Sequence, residues 1–260
     1  MENMKKDNRI KISIYCIGGL VAAAFIWYMA SKIYDSEKIK GEAAEMSSKM
    51  HHTYVDLGLS VKWATCNVGA ITPEQYGDKY AWGETEPKKQ YLWRTYKHCR
   101  QGQTTLTKYC TDKQFGKVDG KTRLDPCDDV AHVKWGGEWR MPTYEEILEL
   151  QEKCTWTECF VNGVQGYKIK SEVTGNYIFL PEAGFIYNSR TYDKEHESSY
   201  KLRSNPNGGI DHSHGCCHYW TSTLDSSWSP DAKSLIVGNR KKESGLHQRA
   251  YGRSVRPVHP

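Results

Sequence analysis

An α+β fold, built from short strands with one or two short helices and long loops between them, is predicted by three features of the sequence. The first is balance: 38% of residues are hydrophobic, yet 12% are aromatic, with 17 Tyr, 9 Trp and 22 Gly. That mixture suits short strands pinned by rings, not a helical bundle. The second is one sharply marked helix start in "WGGEWRMPTYEEILEL", Trp135 to Leu150. The third is a set of short alternating or apolar segments separated by Gly-rich turns, which as many strands with few helices indicates α+β, not parallel α/β.

The chain opens on a different composition. Ile12 to Ala30 carries no charge over nineteen residues and comes after Lys5, Lys6, Arg9 and Lys11. Such a length approaches the ~20 residues that span a bilayer, and the preceding cations keep that end cytoplasmic. Residues 1–11 are therefore expected to be cytoplasmic and 12–31 to form a single transmembrane signal-anchor, with everything after Lys32 exported. Cleavage as a signal peptide is the competing reading, but Tyr28 sits where an A-x-A site needs a small residue. Cys16 lies near the start of the apolar run, directly after Tyr15, which argues against a lipoprotein. Residues 32–51 are polar and mixed in charge, a stalk without a core of its own. The exported domain is then 52–260, long enough for one substantial core.

Within that domain, Leu57, Leu59, Val61 and Trp63 alternate onto one face, as in a half-buried strand. "PEQYGDKYAWGETEP" reads as a helical turn and loops. Asp128 or Asp129 is placed to cap a short helix through Val130 and Val133. Pro142 brings the chain in extended. Thr143 then caps the main helix, and Glu146 closes a capping box. Ile147, Leu148 and Leu150 form the apolar face. "GYKIK", "NYIFLPEAGFIY", "YWTSTL", "SLIVGN" and "RSVRPV" read as the later strands. A formal charge of +5 is too mild to imply nucleic acid, and no phosphate-loop, dinucleotide or zinc-finger spacing occurs.

Eight of nine cysteines lie after the anchor, an even number in an exported domain, which favours some disulfides. Cys99 and Cys110 bracket a ten-residue loop and are the best single pair, with burial as small hydrophobes the alternative.

Seven ordered blocks, among them "YVDLGLSVKWATCNVGA", "YGDKYAWGET", "LDPCDDVAHVKWGGEWRMPTYEE", "IFLPEAGF", "YWTST" and "SVRPV", together resemble the Fibrobacter succinogenes major paralogous domain, a family abundant in gut Bacteroidetes. The resemblance covers about Tyr54 to Val258. "WRMPTYEE" is also similar to a segment of formylglycine-generating enzymes and other C-type-lectin-like folds. It implies irregular antiparallel sheets with a helix packed at their base, and structural roles for Trp135, Trp139 and Arg140. No catalytic residue transfers, because the copper-binding cysteine pair of that enzyme group has no equivalent at the right spacing.

Three groups of residues remain as candidate sites. His212, His214, Cys216, Cys217 and His218 offer imidazole and thiolate donors suited to Zn²⁺ or Cu²⁺, although adjacent thiols diverge along a strand. Asp125, Asp128 and Asp129 offer oxygen donors for Ca²⁺, with helix capping as the plainer reading. Tyr187, Tyr192 and Tyr200 are aromatic candidates for stacking on a sugar. Lys233, Arg240, Lys241, Lys242, Arg249, Arg253 and Arg256 make the C-terminal part basic; a solvated face is expected, with Arg256 belonging to the fold.

No coherent catalytic set and no required cofactor emerges. The sequence thus points to a membrane-anchored, outward-facing binding module for a glycan or an envelope or host protein. A metal-binding protein or metal-dependent enzyme using the His212 to His218 loop is the alternative, and a purely structural part of a surface assembly is a third reading.

Overall fold

The computed structural model describes residues 52–187, 210–211, 217–238 and 241–260. The chain divides into two units at His51 and His52. Residues 12–31 lie outside the described part, and among the described residues no helix is long and apolar enough to cross a membrane.

Twelve short strands pair antiparallel in four three-stranded sheets. In the first, β1 (Tyr54–Val55) lies beside β2 (Lys62–Ala64), which also pairs with the C-terminal β12 (Val258–His259). A meander of β3 (Cys154–Val161), β4 (Val164–Ser171) and β5 (Tyr177–Pro181) forms the second. The third places β6 (Phe185–Ile186) between β7 (Ile210–Asp211) and β11 (Gly252–Arg253). In the fourth, β9 (Asp231–Gly238) runs between β8 (Cys217–Leu224) and β10 (Lys241–Gln248). Two α-helices, α1 (Val130–Trp135) and α2 (Tyr144–Lys153), complete the described part. The α+β class and the sheet-rich architecture are thus as expected.

Both helix starts obey the sequence. Asp129 accepts from the N–H groups of Ala131 and His132 to cap α1. Thr143 accepts from Glu146 N, while Glu146 reaches back to Thr143 N at 2.8 Å. Glu146 also takes the guanidinium of Arg140 in a two-bond fork at 2.8 and 2.5 Å. The junction is therefore a closed polar network that fixes where α2 docks. Helix α2 buries Ile147 and Leu150 in a cluster with Leu57, Trp63, Ile169 and Leu235.

One expected strand resolves differently. Leu57 to Trp63 does not run as one strand; Gly58 takes a φ of +68° and donates its N–H to Asp56 Oδ1 at 2.7 Å. That Asx turn separates β1 from β2. Alternation still predicted the buried side chains, since Leu57, Val61 and Trp63 enter the core and Leu59 packs against it.

Candidate functional site

Two arginines of the C-terminal segment, Arg249 and Arg253, are fully buried and not on the solvated face expected, and Arg256 is buried within the fold as expected. Arg256 donates to Asn67 Oδ1 and to the carbonyls of Ala64, Thr65 and Phe179 at 2.7–3.0 Å. Arg249 lies over Trp82 and donates to the hydroxyl of Tyr96 and to the carbonyls of Tyr109, Ser229 and Lys108. Every guanidinium nitrogen of these two is used. They tie loops to the core where no strand ladder does so.

Arg253 differs. It belongs to β11, where its Cα faces Phe185 of β6, and its backbone exchanges hydrogen bonds with Tyr80 on the other side. Gly252 beside it is required because a Cβ there would stand 2.7 Å from the ring of Tyr91. The guanidinium sits 4.8 Å from the Trp220 ring centroid and 5.4 Å from that of Phe185. Its Nη1 donates to His218 Nδ1 at 2.9 Å and to Ser234 Oγ at 3.2 Å. Nδ1 of His218 is therefore the acceptor, and its ring proton is on Nε2. Nε and Nη2 of Arg253, both buried, have no hydrogen-bond partner among the described residues.

Rings line the space around this side chain. Phe185 stacks on Tyr187 at 5.4 Å and 25°, and faces Tyr251 at 6.3 Å and 28°. His218 packs against Phe185 at 4.6 Å. Phe185 and Tyr251 are partly exposed, whereas Arg253 is buried. The cation thus lies beneath an aromatic cluster whose outer rings, Phe185 and Tyr251, are partly exposed, while its own nitrogens are shielded from solvent. Burial lowers the Arg253 guanidinium to about 9, still a cation at neutral pH. Burial, and next the nearby Arg253, hold His247 well below the usual histidine range. Burial and Asp225 raise the Asp231 carboxyl to about 6.

Of the residues singled out in the sequence, Tyr187 and His218 join this cluster. At 8% exposure, Tyr187 is a wall of it and not the open platform expected. Tyr192, Tyr200, His212, His214 and Cys216 lie outside the described residues. Cys217 and His218 take opposite faces of β8: the Cys217 thiol donates to Pro181 O at 3.4 Å in the core, while His218 turns to Arg253. The strand pleat therefore parts these two as ligands of a common ion.

Asp125, Asp128 and Asp129, the candidate oxygen donors for Ca²⁺, are each engaged by other partners, and Asp129 takes the capping role that was the plainer reading. Asp128 accepts from Lys97, Lys108 and Tyr109 at 2.6–2.8 Å. Burial pushes its carboxyl up, but those donors prevail and hold it below the ordinary carboxylate range. Asp125 pairs with Lys108 and Lys121, and Asp129 with backbone N–H groups of α1 and Met141. Ammonium groups occupy the positions a cation would need. Among the described residues no group of three His, Cys, Asp or Glu side chains converges.

Cys99 and Cys110 are not joined. Their thiols donate to different carbonyls, Trp93 O at 2.9 Å and Asp112 O at 3.1 Å. Both contribute to one small cluster with Leu106 and Phe115, as buried thiols do.

A depression of about 620 Å³ lies at the start of α2, with Trp139 in its wall. Its charged groups are already paired: Arg123 with Glu145, Arg140 with Glu146, and Asp129 with the backbone. Trp139 and Trp135 pack edge to face at 4.9 Å, and His52 stacks on Trp135 at 3.8 Å. These tryptophans close a corner of the domain.

Sequence reasoning passed over Arg253 because nothing distinguishes it from its neighbours in "RAYGRSVRP". The one available signal is Gly252 before it, which marks a close backbone approach. No protein-family model, curated protein or solved structure matches the chain.

Proposed function

We propose that residues 52–260 are an outward-facing binding module for a glycan or an envelope or host protein, held at the membrane by residues 12–31 through the polar stalk 32–51. The observation that carries the binding reading is the aromatic cluster of Phe185, Tyr187, His218 and Tyr251, partly exposed at Phe185 and Tyr251, over a buried Arg253 that uses one of its three guanidinium nitrogens. Apolar rings with a small number of placed polar groups are the usual make-up of a ligand site. An arginine kept buried with unspent donors destabilises the fold unless a partner completes it.

The uncharged stretch from Ile12 to Ala30, with its four preceding cations, supports the anchor and the export of residues 52–260. Glycan-array binding of the full-length chain in detergent is the test, with Phe185→Ala/Tyr251→Ala as the paired variant. Array signal lost in the variant is expected. Array binding that the variant leaves unchanged refutes the aromatic cluster as the binding site. Absence of binding to glycans and to envelope extracts favours the purely structural role. Protease added outside spheroplasts should remove residues beyond Lys32 and leave an embedded fragment; soluble protein beginning after Ala30 would refute the anchor.

A further inference from the structure

The depression at the start of α2 is open, and every residue of its lining is described. Its volume, about 620 Å³, is that of a small-ligand site. One wall is the chain before α1, which is sewn to β8: Leu124 N donates to Ser222 O at 3.0 Å, and Thr122 O accepts from Leu224 N at 2.8 Å. The facing wall is the start of α2. Asp129 ties it to α1, because its carboxylate takes Met141 N together with the first N–H groups of that helix. Walls held by backbone hydrogen bonds stand ready before a ligand arrives, which lowers the cost of binding.

Charge within the depression is balanced. Arg140 is forked to Glu146, and Asp129 is spent on backbone N–H groups. Arg123 Nη2 donates to Glu145 Oε2 at 3.1 Å, and these two side chains are 59% and 63% exposed, so their pair stands at the mouth. The pair uses one guanidinium nitrogen of Arg123, and the others meet no acceptor among the described residues. Half-buried His132 also lines the depression, and neither of its ring nitrogens has a hydrogen-bond partner among the described residues.

We infer that this depression binds a neutral hexopyranose unit, two neighbouring hydroxyls of which lie across the Arg123 and Glu145 pair. Each ring hydroxyl can accept from an N–H and donate to a carboxylate oxygen, and a guanidinium beside a carboxylate offers both roles side by side. His132 supplies a further polar contact, while Leu124, Pro126 and Trp139 give an apolar wall for the C–H face of the ring. A charged ligand gains less, because an anion would be repelled by Glu145 and a cation by Arg123. The inference rests on the glycan branch of the binding-module reading, but at a different site from the rings of Phe185 and Tyr251.

The test is binding of the methyl pyranosides of glucose, galactose and mannose to the full-length chain in detergent micelles, measured by ligand-observed NMR and calorimetry. Glucuronate, glucosamine and tetrahydropyran-2-methanol, a ring without neighbouring hydroxyls, are the comparison probes. At least one pyranoside should bind, the two charged sugars should bind no more tightly than the glucoside, and tetrahydropyran-2-methanol should not bind. Arg123→Ala/Glu145→Ala should weaken pyranoside binding at least about tenfold, since charge-assisted hydrogen bonds are lost. An exposed pair contributes little to stability, so this variant should stay folded. Phe185→Ala/Tyr251→Ala should leave pyranoside binding unchanged. Failure of all three pyranosides to bind, or binding that Arg123→Ala/Glu145→Ala retains, would overturn the assignment. Glucuronate or glucosamine binding about tenfold more tightly than the glucoside would overturn the choice of a neutral sugar. Binding lost only in Phe185→Ala/Tyr251→Ala gives the sugar to the aromatic cluster, and the depression falls alone. Array signal lost only in Arg123→Ala/Glu145→Ala removes the aromatic cluster as the site and leaves the depression standing.

Discussion

Arg249 and Arg253 stand four residues apart, both fully buried and both about 5 Å from a tryptophan ring, Trp82 for one and Trp220 for the other. Their surroundings have opposite characters. Around Arg249 every donor meets a carbonyl or hydroxyl, and the nearby Asp128 is saturated by two lysines and Tyr109. Around Arg253 Nε and Nη2, shielded from solvent, meet no acceptor among the described residues. Burial alone therefore does not tell a saturated arginine from an unsaturated one. The census of its hydrogen bonds does.

The largest effect expected from this contrast is on the saturated side. Arg249→Met should destabilise the fold by about 3 to 5 kcal/mol, because three carbonyls lose their donors in a buried region at about 1 to 3 kcal/mol each, partly relieved by relaxation. Urea unfolding measures it. A loss under about 1 kcal/mol would break the comparison, since Arg249 would then be no more structural than its neighbour.

Acid should separate the two regions next. Burial is the main cause that lowers His98 to about 4, with Arg249 and Lys97 adding to it; its Nε2–H donates to Gly83 O at 2.8 Å. Between pH 6.5 and about 4 the unfolded imidazole is protonated and the folded one is not, so stability falls as pH drops through that window. At pH 5 the His98 share is about 2 kcal/mol. On the Arg253 side, His247 acts in the same direction, but Asp231 acts in the other. Its folded carboxyl, raised to about 6, takes a proton before the unfolded one does, which stabilises the fold between about pH 6 and 4. His98→Gln should therefore remove about 2 kcal/mol of the stability lost between pH 7 and pH 5. Equal acid sensitivity in the variant and the unmodified chain, by urea titration at both values, would contradict this assignment.

A smaller effect is expected where saturation is reached near the surface. Thr143→Ala removes one arm of the capping box but leaves the fork between Glu146 and Arg140, so about 1 kcal/mol should be lost. A loss as large as that of Arg249→Met would mean that depth is not what sets the cost.

This capping box was legible in sequence, as was the Asp129 cap, because both are local patterns of four residues or fewer. Strand β4 and the middle of β8 were legible for the same reason, through alternation or aromatic runs. Strand β10, "KKESGLHQ", was not: it is polar along its length, and its hydrogen bonds to β9 hold it in the sheet. "NYIFLPEAGFIY" read as one strand, yet Glu182, Ala183 and Gly184 part it into β5 and β6, which belong to different sheets. The cluster around Arg253 was legible only through Tyr187 and His218. Arg253 meets them from 66 and 35 residues away, and a partner set assembled across two sheets and the loops beside them leaves no spacing to read.

The smallest effect on stability is expected at Arg253 itself, and it is the most informative. Arg253→Met replaces a buried cation that uses one of its three nitrogens with an apolar chain of similar length. Replacing buried ionic groups by apolar residues is often neutral or stabilising, because the desolvation penalty disappears with the charge. The variant leaves two acceptors behind, His218 Nδ1 and Ser234 Oγ, but Ser234 retains His247 Nδ1 at 3.1 Å as an alternative partner. The two contributions oppose each other, so unfolding free energy should stay within about 1 kcal/mol of the unmodified chain. A residue that is kept buried, costs the fold its desolvation and returns little in stability is one whose retention the binding module proposed above would explain. Should Arg253→Met instead unfold the domain as severely as Arg249→Met, the open edge of its guanidinium is completed by the fold, and the two arginines are alike.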